Sequence, residues 1–111
     1  MTKFMVLYLS TVSARDQMAG ATPEQAKADM DAWMAWAGKA GDAIVDLGTP
    51  LAPGTRLGVG SAPAGGEQVT GYSILRAESA DELTGILDGH PHLEMMGGSI
   101  EVLEYLPIPG M

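Results

Sequence analysis

His90-Pro91-His92 holds both histidines of the 111-residue chain, and with them the only side chains whose ordinary pKa lies near neutral pH. Pro91 stiffens the corner, Gly89 precedes it, and Gly97-Gly98 lead on into a strand-like run, Ile100 to Leu106. Such a corner suits proton transfer on a small organic molecule. His90 would act as the general base, and a carboxylate from Asp29, Asp31 or Asp46 would fix its tautomer. Tyr72 or Arg76 would steady the negative charge that develops. The candidate catalytic set is therefore His90, Asp46, Tyr72 and Arg76, with His92, Met30 and Glu101 as candidate substrate contacts. In an extended segment, His90 and His92 would point the same way and, with Glu94, have the spacing of a metal site. They lack a third dedicated ligand, so neither a metal nor a cofactor is assigned.

Composition narrows the classes. Fourteen acidic residues against six basic ones give a net charge of −8, and the basic residues are scattered. This excludes a nucleic-acid binder and disfavours an anionic membrane surface, both of which need clustered Lys or Arg. The absence of cysteine removes disulfides, thiolate metal sites and thiol nucleophiles together. An apolar share of 46% is that of a globular chain, and the length suits one domain over 1–111. The apolar run Phe4 to Leu9 is too short for a membrane span and lacks the cleavage pattern of a signal peptide. A cytoplasmic protein is expected.

The elements that must carry the corner follow in order. Phe4, Val6 and Tyr8 alternate with Met5, Leu7 and Leu9, giving a strand apolar on both faces, which belongs inside a sheet. Ser10 to Ala21 reads as a loop. Thr22-Pro23-Glu24-Gln25 is a capping box with proline at the first helical position. The helix it opens has an apolar stripe of Ala26, Met30, Trp33, Met34 and Ala37, best read as core packing, and Gly41 ends it. Ala43 to Leu47 is a second strand. A long Gly- and Pro-rich stretch from Thr49 to Gln68 follows, with Arg56 to Val59 as its only strand-like piece. Its glycines lack the strand-turn-helix context of a phosphate loop. Val69 to Ala77 is a third strand, Ser79 caps a second helix ending at Gly89, and Ile100 to Leu106 is the fourth strand, stopped by Pro107 and Pro109.

Strand, helix, strand, strand, helix, strand is the split βαβ arrangement, an α+β fold with both helices on one face of a four-stranded antiparallel sheet. The other face would be left bare and apolar, and a second copy of the chain closing over it into a two-chain barrel is the expected remedy. Polar groups on the strands, Asp46, Tyr72, Arg76 and Glu101 or Glu104, would then line a chamber.

The order of elements, the segment Gly71-Tyr72-Ser73-Ile74-Leu75, the capped helix after it, His90-Pro91-His92 and Gly98-Ser99-Ile100-Glu101-Val102 together resemble the YCII-related proteins, also called the DGPF group. The resemblance spans essentially the whole chain. It implies a ferredoxin-like fold that dimerises through its sheets, with lyase-type enzymes such as dehydrohalogenases among the relatives and regulatory roles among others. The Asp-Gly-Pro-Phe motif is absent here. His90 stands at the corner where members carry aspartate, and Asp29, Met30 and Asp31 stand on the helix where they carry histidine. Two functions follow as expectations: a lyase or isomerase with a His-centred site in the dimer cleft, or a metabolite-binding or regulatory dimer without turnover. For the second, Met95 and Met96 beside Gly97-Gly98 offer an adaptable contact surface.

Overall fold

The computed structural model of the chain describes residues 1–55, 57–58 and 67–110. The first strand, β1, runs Thr2–Ser10, with Phe4, Val6, Tyr8 and Ser10 buried and the residues between them half-buried or exposed. A period of two with one face fully sealed is what the apolar alternation of the sequence requires. Ala14–Gly20 then forms a short helix, α1, where a loop is expected. Its start is set by Ser13, whose hydroxyl accepts from the Asp16 N–H. That Ser-x-x-Asp spacing is a capping pattern in its own right.

The longer helix α2, Pro23–Ala40, begins as expected. Thr22 Oγ1 accepts from Gln25 N at 3.1 Å and Gln25 Oε1 accepts from Thr22 N at 3.0 Å, closing the capping box. Gly41 ends it at φ 55°, a backbone that glycine adopts without a Cβ clash. The buried face differs from the expected stripe. Trp36 is buried and Trp33, Ala37 and Ala40 pack against the core, while Met30 and Met34 are 62% and 53% exposed. The first half of α2, as far as Ala32, holds no buried residue at all, so its methionines have nothing to pack on.

A single 3₁₀ turn, Gly41–Ala43, leads into β2, Ile44–Asp46, and β3 spans Gln68–Ala77. Between them Pro50 bridges Gly71. The strand expected around 56–59 lies partly outside the described residues, and the run 59–66 lies wholly outside them. After β3 come α3, Ala80–Leu87, capped by Ser79, then α4, a single turn Pro91–Glu94, and the last strand β4, Ser99–Glu104.

The sheet is antiparallel in the order β2-β3-β1-β4, the order that a split βαβ unit produces. β1 and β3 are the inner strands. β2 is short and at an edge, so Asp46 does not sit on a central strand as its candidate role assumes. A bulge where Tyr8 faces Gly71 and Leu9 faces Val69 leaves Thr70 as the extra residue. Thr70 is buried on the core side, where alternation alone would turn it away, and its hydroxyl donates to Tyr8 O at 3.1 Å.

Phe4, Val6, Tyr8, Trp36, Leu75, Ala77, Leu83 and Leu87 form the core between the sheet and the helices. The molecule is 19 Å thick in its shortest dimension, the depth of one sheet and one helix layer. No helix among the described residues is long and apolar enough to cross a membrane.

Candidate functional site

The histidine corner is helical rather than extended. His90 is the N-cap of α4, Pro91 occupies the first turn, and His90 Nδ1 accepts from His92 N at 3.0 Å. This is the bond a Ser or Asp cap usually makes, supplied here by an imidazole. It fixes the tautomer: Nδ1 holds the lone pair, so the proton of the neutral ring is on Nε2. His92 turns into the fold and its Nε2–H donates to Leu9 O at 2.7 Å. The two rings therefore do not offer parallel nitrogens to a metal. Among the described residues no three His, Cys, Asp or Glu side chains stand close enough to hold a metal ion. Gly98 lets this corner close, since a Cβ there would collide with the His92 carbonyl oxygen.

Around His90 the fold builds an aromatic box. Trp36 lies with its ring centre 4.3 Å away, Trp33 at 4.5 Å edge-to-face, and Tyr8 at 5.0 Å. Each wall comes from a different constraint. Tyr8 is fixed by the strand alternation of β1, and the tryptophans sit three residues apart on α2. Trp36 is also tied down by its indole N–H donating to Ile86 O at 3.0 Å. His90 is completely buried inside, and its Nε2 has no hydrogen-bond partner among the described residues. Burial, and secondarily the neighbouring His92, lower its pKa to about 4, so the ring is neutral at physiological pH.

A polar chain leaves the same box. Tyr8 donates to Ser73 Oγ at 2.7 Å, because the one Ser73 hydroxyl proton is committed to Leu47 O at 2.6 Å. Burial pushes the Tyr8 phenol up to about 12, so it stays protonated. Flanking the box, an open groove of about 440 Å³ is lined by Asp29, Ala32, Trp36, Lys39, Pro91 and Glu94.

The residues expected to join His90 are elsewhere. Alternation along β3 puts Tyr72 and Arg76 on the face opposite Ser73, Leu75 and Ala77, so the sheet separates them from the imidazole. Tyr72 donates to Asp46 Oδ2 at 3.2 Å on that open face, and the carboxylate raises the phenol's pKa. Asp46 also accepts from Gly48 N at 2.9 Å, and Arg76 donates to Asp42 O at 2.8 Å. Glu101, paired in register with Leu7, lies on the open face too, and Met30 is exposed on α2. Within one chain the expected set thus divides into a buried histidine corner and an exposed Tyr72–Asp46 pair. His90, His92 and the box residues Tyr8, Trp33 and Trp36 are what the fold brings together. The sequence marks Trp36 only through its place three residues after Trp33, and it marks Tyr8 only as a core position.

No protein-family model matches this chain, and no curated protein matches it in sequence. Among solved structures, the 5-chloro-2-hydroxyhydroquinone dehydrochlorinase of Burkholderia phenoliruptrix, in complex with 2,5-dihydroxybenzoquinone, has a similar fold. The match has a TM-score of 0.51 and 18% identity, over 94% of this chain and 93% of that one. At that identity the likeness is one of fold, and it agrees with the ferredoxin-like α+β architecture.

Proposed function

We propose that this chain is a small-molecule enzyme of the lyase or isomerase type, in which His90 acts as a neutral hydrogen-bond donor. The observation that carries this reading is the buried His90 Nε2–H with no partner inside the Tyr8–Trp33–Trp36 box. A buried donor left unpaired costs stability, and a hydrogen bond to a ligand oxygen would recover that cost. In an elimination, the electron pair left by a departing proton expels a leaving group as its anion. In an isomerisation, that pair takes up a proton at another atom. Both gather negative charge on a conjugated oxygen, which a neutral imidazole held by a helix N-terminus can stabilise by donation without itself being charged. His90 is thus the electrophile rather than the base. The proton acceptor within the chain is a carboxylate of the flanking groove, Asp29 or Glu94.

The flanking groove, with Trp36 and Pro91 as its apolar walls, suits a ring bearing hydroxyl or carbonyl oxygens, the kind of molecule bound to the structurally similar dehydrochlorinase. The reading includes a homodimer in which the open sheet faces cover each other. Met5, Leu7, Leu9, Ile74 and Leu103 make that face apolar, and the Tyr72–Asp46 pair and Glu101 edge it. One observation favours a binding dimer without turnover instead: the candidate proton acceptors Asp29 and Glu94 are both solvent-exposed rather than held against His90.

The test is His90→Asn, which retains an oxygen for the N-cap bond and removes the distal donor. Halogenated hydroquinones and cyclic enolisable acids are screened for halide release or ultraviolet change. The wild type turns one of these over, and the folded variant loses on the order of 10²–10³ in kcat, the usual cost of one oxyanion donor. Equal rates in both proteins would reject the role of His90. Ligand-induced quenching of the tryptophans without turnover would select the binding reading.

A further inference from the structure

The groove beside the aromatic box follows one stripe of α2. Asp29, Ala32, Trp36 and Lys39 recur every three or four residues, so they share a face of the helix, and Pro91 and Glu94 of α4 supply the other wall. Ala32 is short, which leaves the surface next to the Trp36 indole open. The cavity of about 440 Å³ has room for one small ring compound.

Three charged side chains border this groove, and Lys39 is the cation among them. It lies in the last turn of α2, where a positive charge complements the helix dipole, and that alone would account for its type. Its position accounts for more. Lys39 follows Trp36 by one turn, about 4.5 Å along the axis, whereas Asp29 precedes Trp36 by about 10.5 Å. A substituent one bond outside a ring resting against the indole spans the first distance and not the second. Among the described residues the one ion pair is Lys27–Asp31, so neither Asp29 nor Glu94 neutralises the Lys39 ammonium. Asp29 stands about 15 Å from Lys39 along the helix, beyond the screening length of ~8 Å at physiological salt.

We propose that Lys39 is the specificity-determining residue of the groove and that the ligand is a ring compound bearing a carboxylate. The ring rests between Trp36 and Pro91, and the carboxylate takes the Lys39 ammonium as its counter-ion. Anchored at that end, the acid is kept from setting its own charge beside Asp29, and its ring lies against the indole that separates the groove from His90. This rests on the reading of the groove as the substrate site but not on the donor role of His90.

The net charge gives the test its discrimination. A chain at −8 repels an acid overall, so a preference for an acid over its uncharged amide requires a local cation. The probes are 3-hydroxybenzoate and 3-hydroxybenzamide, titrated into the protein while the two indole N–H signals of Trp33 and Trp36 are followed by NMR. The wild type binds the acid at least tenfold more tightly than the amide, and the Trp36 signal moves. Lys39→Met abolishes the preference and changes the affinity for the amide less than twofold, while Lys39→Arg keeps the preference. A merely dipolar role for Lys39 would move stability and leave the ratio of the two affinities as it was. Equal affinities in the wild type, no binding of the acid at millimolar concentration, or a preference that survives Lys39→Met overturns the proposal. A Lys39-dependent preference alongside a catalytically silent His90→Asn substitution upholds the acid site and rejects the His90 chemistry. Turnover lost in His90→Asn with no acid preference in the wild type does the reverse.

Discussion

His90 does two things with one ring, and they are separable by pH. Its Nδ1 caps α4, which requires the neutral form, and its Nε2–H sits unpaired in the aromatic box, where a charged ring would be desolvated. The folded pKa is lowered to about 4 from the ordinary 6.5. The unfolded chain therefore binds more protons than the native state between those values, and stability falls as pH drops through that window. Above about pH 6.5 this histidine contributes no pH dependence. Near pH 4 and below, the loss reaches on the order of 3 kcal/mol, from 1.36 kcal/mol per pKa unit. Urea melts of the wild type and His90→Asn at pH 7.5, 6 and 5 check this. The wild type loses stability faster on acidification, and identical slopes in the two proteins would mean that the ring is not desolvated in the fold. The sequence identifies the corner as the place to look, because proline, glycine and two histidines coincide there. It does not give the tautomer, because that depends on which backbone N–H the ring meets once α4 has turned.

At the scale of elements, the strongest local signals were the ones realised. The Thr22 capping box, Gly41 as helix stop and the alternation of β1 each depend on residues within a few positions of one another, so no tertiary information is needed to read them. The face of α2 is different in kind. Trp33, Trp36, Ala37 and Ala40 follow i, i+3, i+4, i+7 spacing as faithfully as the expected Met30, Trp33, Met34 and Ala37 do. The choice between the two faces was made by how far the helix extends beyond the sheet. α1 and α4 were missed because one or two turns carry too little periodicity to register, although Ser13 and His90 both announce a cap. The helix phase is testable by stability. Met30→Glu and Met34→Glu shift unfolding by no more than about 0.5 kcal/mol, the range of surface changes. Trp36→Ala costs about 3–5 kcal/mol through the cavity it leaves. Comparable losses at Met34 and Trp36 would show that α2 is rotated from the orientation described.

For the whole molecule, element order identifies the split βαβ unit, while the edge position of β2, which carries Asp46, emerges only in the folded sheet. The same order leaves one sheet face open, and that face is the contact surface of the proposed dimer. Its apolar residues favour pairing with a second copy, whereas a charge of −8 on each chain opposes it. The two terms respond differently to salt. Screening at 0.5 M shortens the Debye length to a few ångströms and removes most of the repulsion between chains, while burial of apolar area is left intact. Dimerisation is therefore expected to tighten several-fold between 0.05 and 0.5 M sodium chloride, as measured by sedimentation equilibrium. Leu7 is the point at which to test the face itself, because it lies between Glu101 and Tyr72 in the sheet. Leu7→Glu adds a like charge beside Glu101 and places an unpaired carboxylate inside the proposed interface, so it yields a folded monomer at concentrations where the wild type is dimeric. A Leu7→Glu protein that dimerises as tightly as the wild type would move the contact away from the open face, because a buried, uncompensated carboxylate at its centre is incompatible with tight packing there.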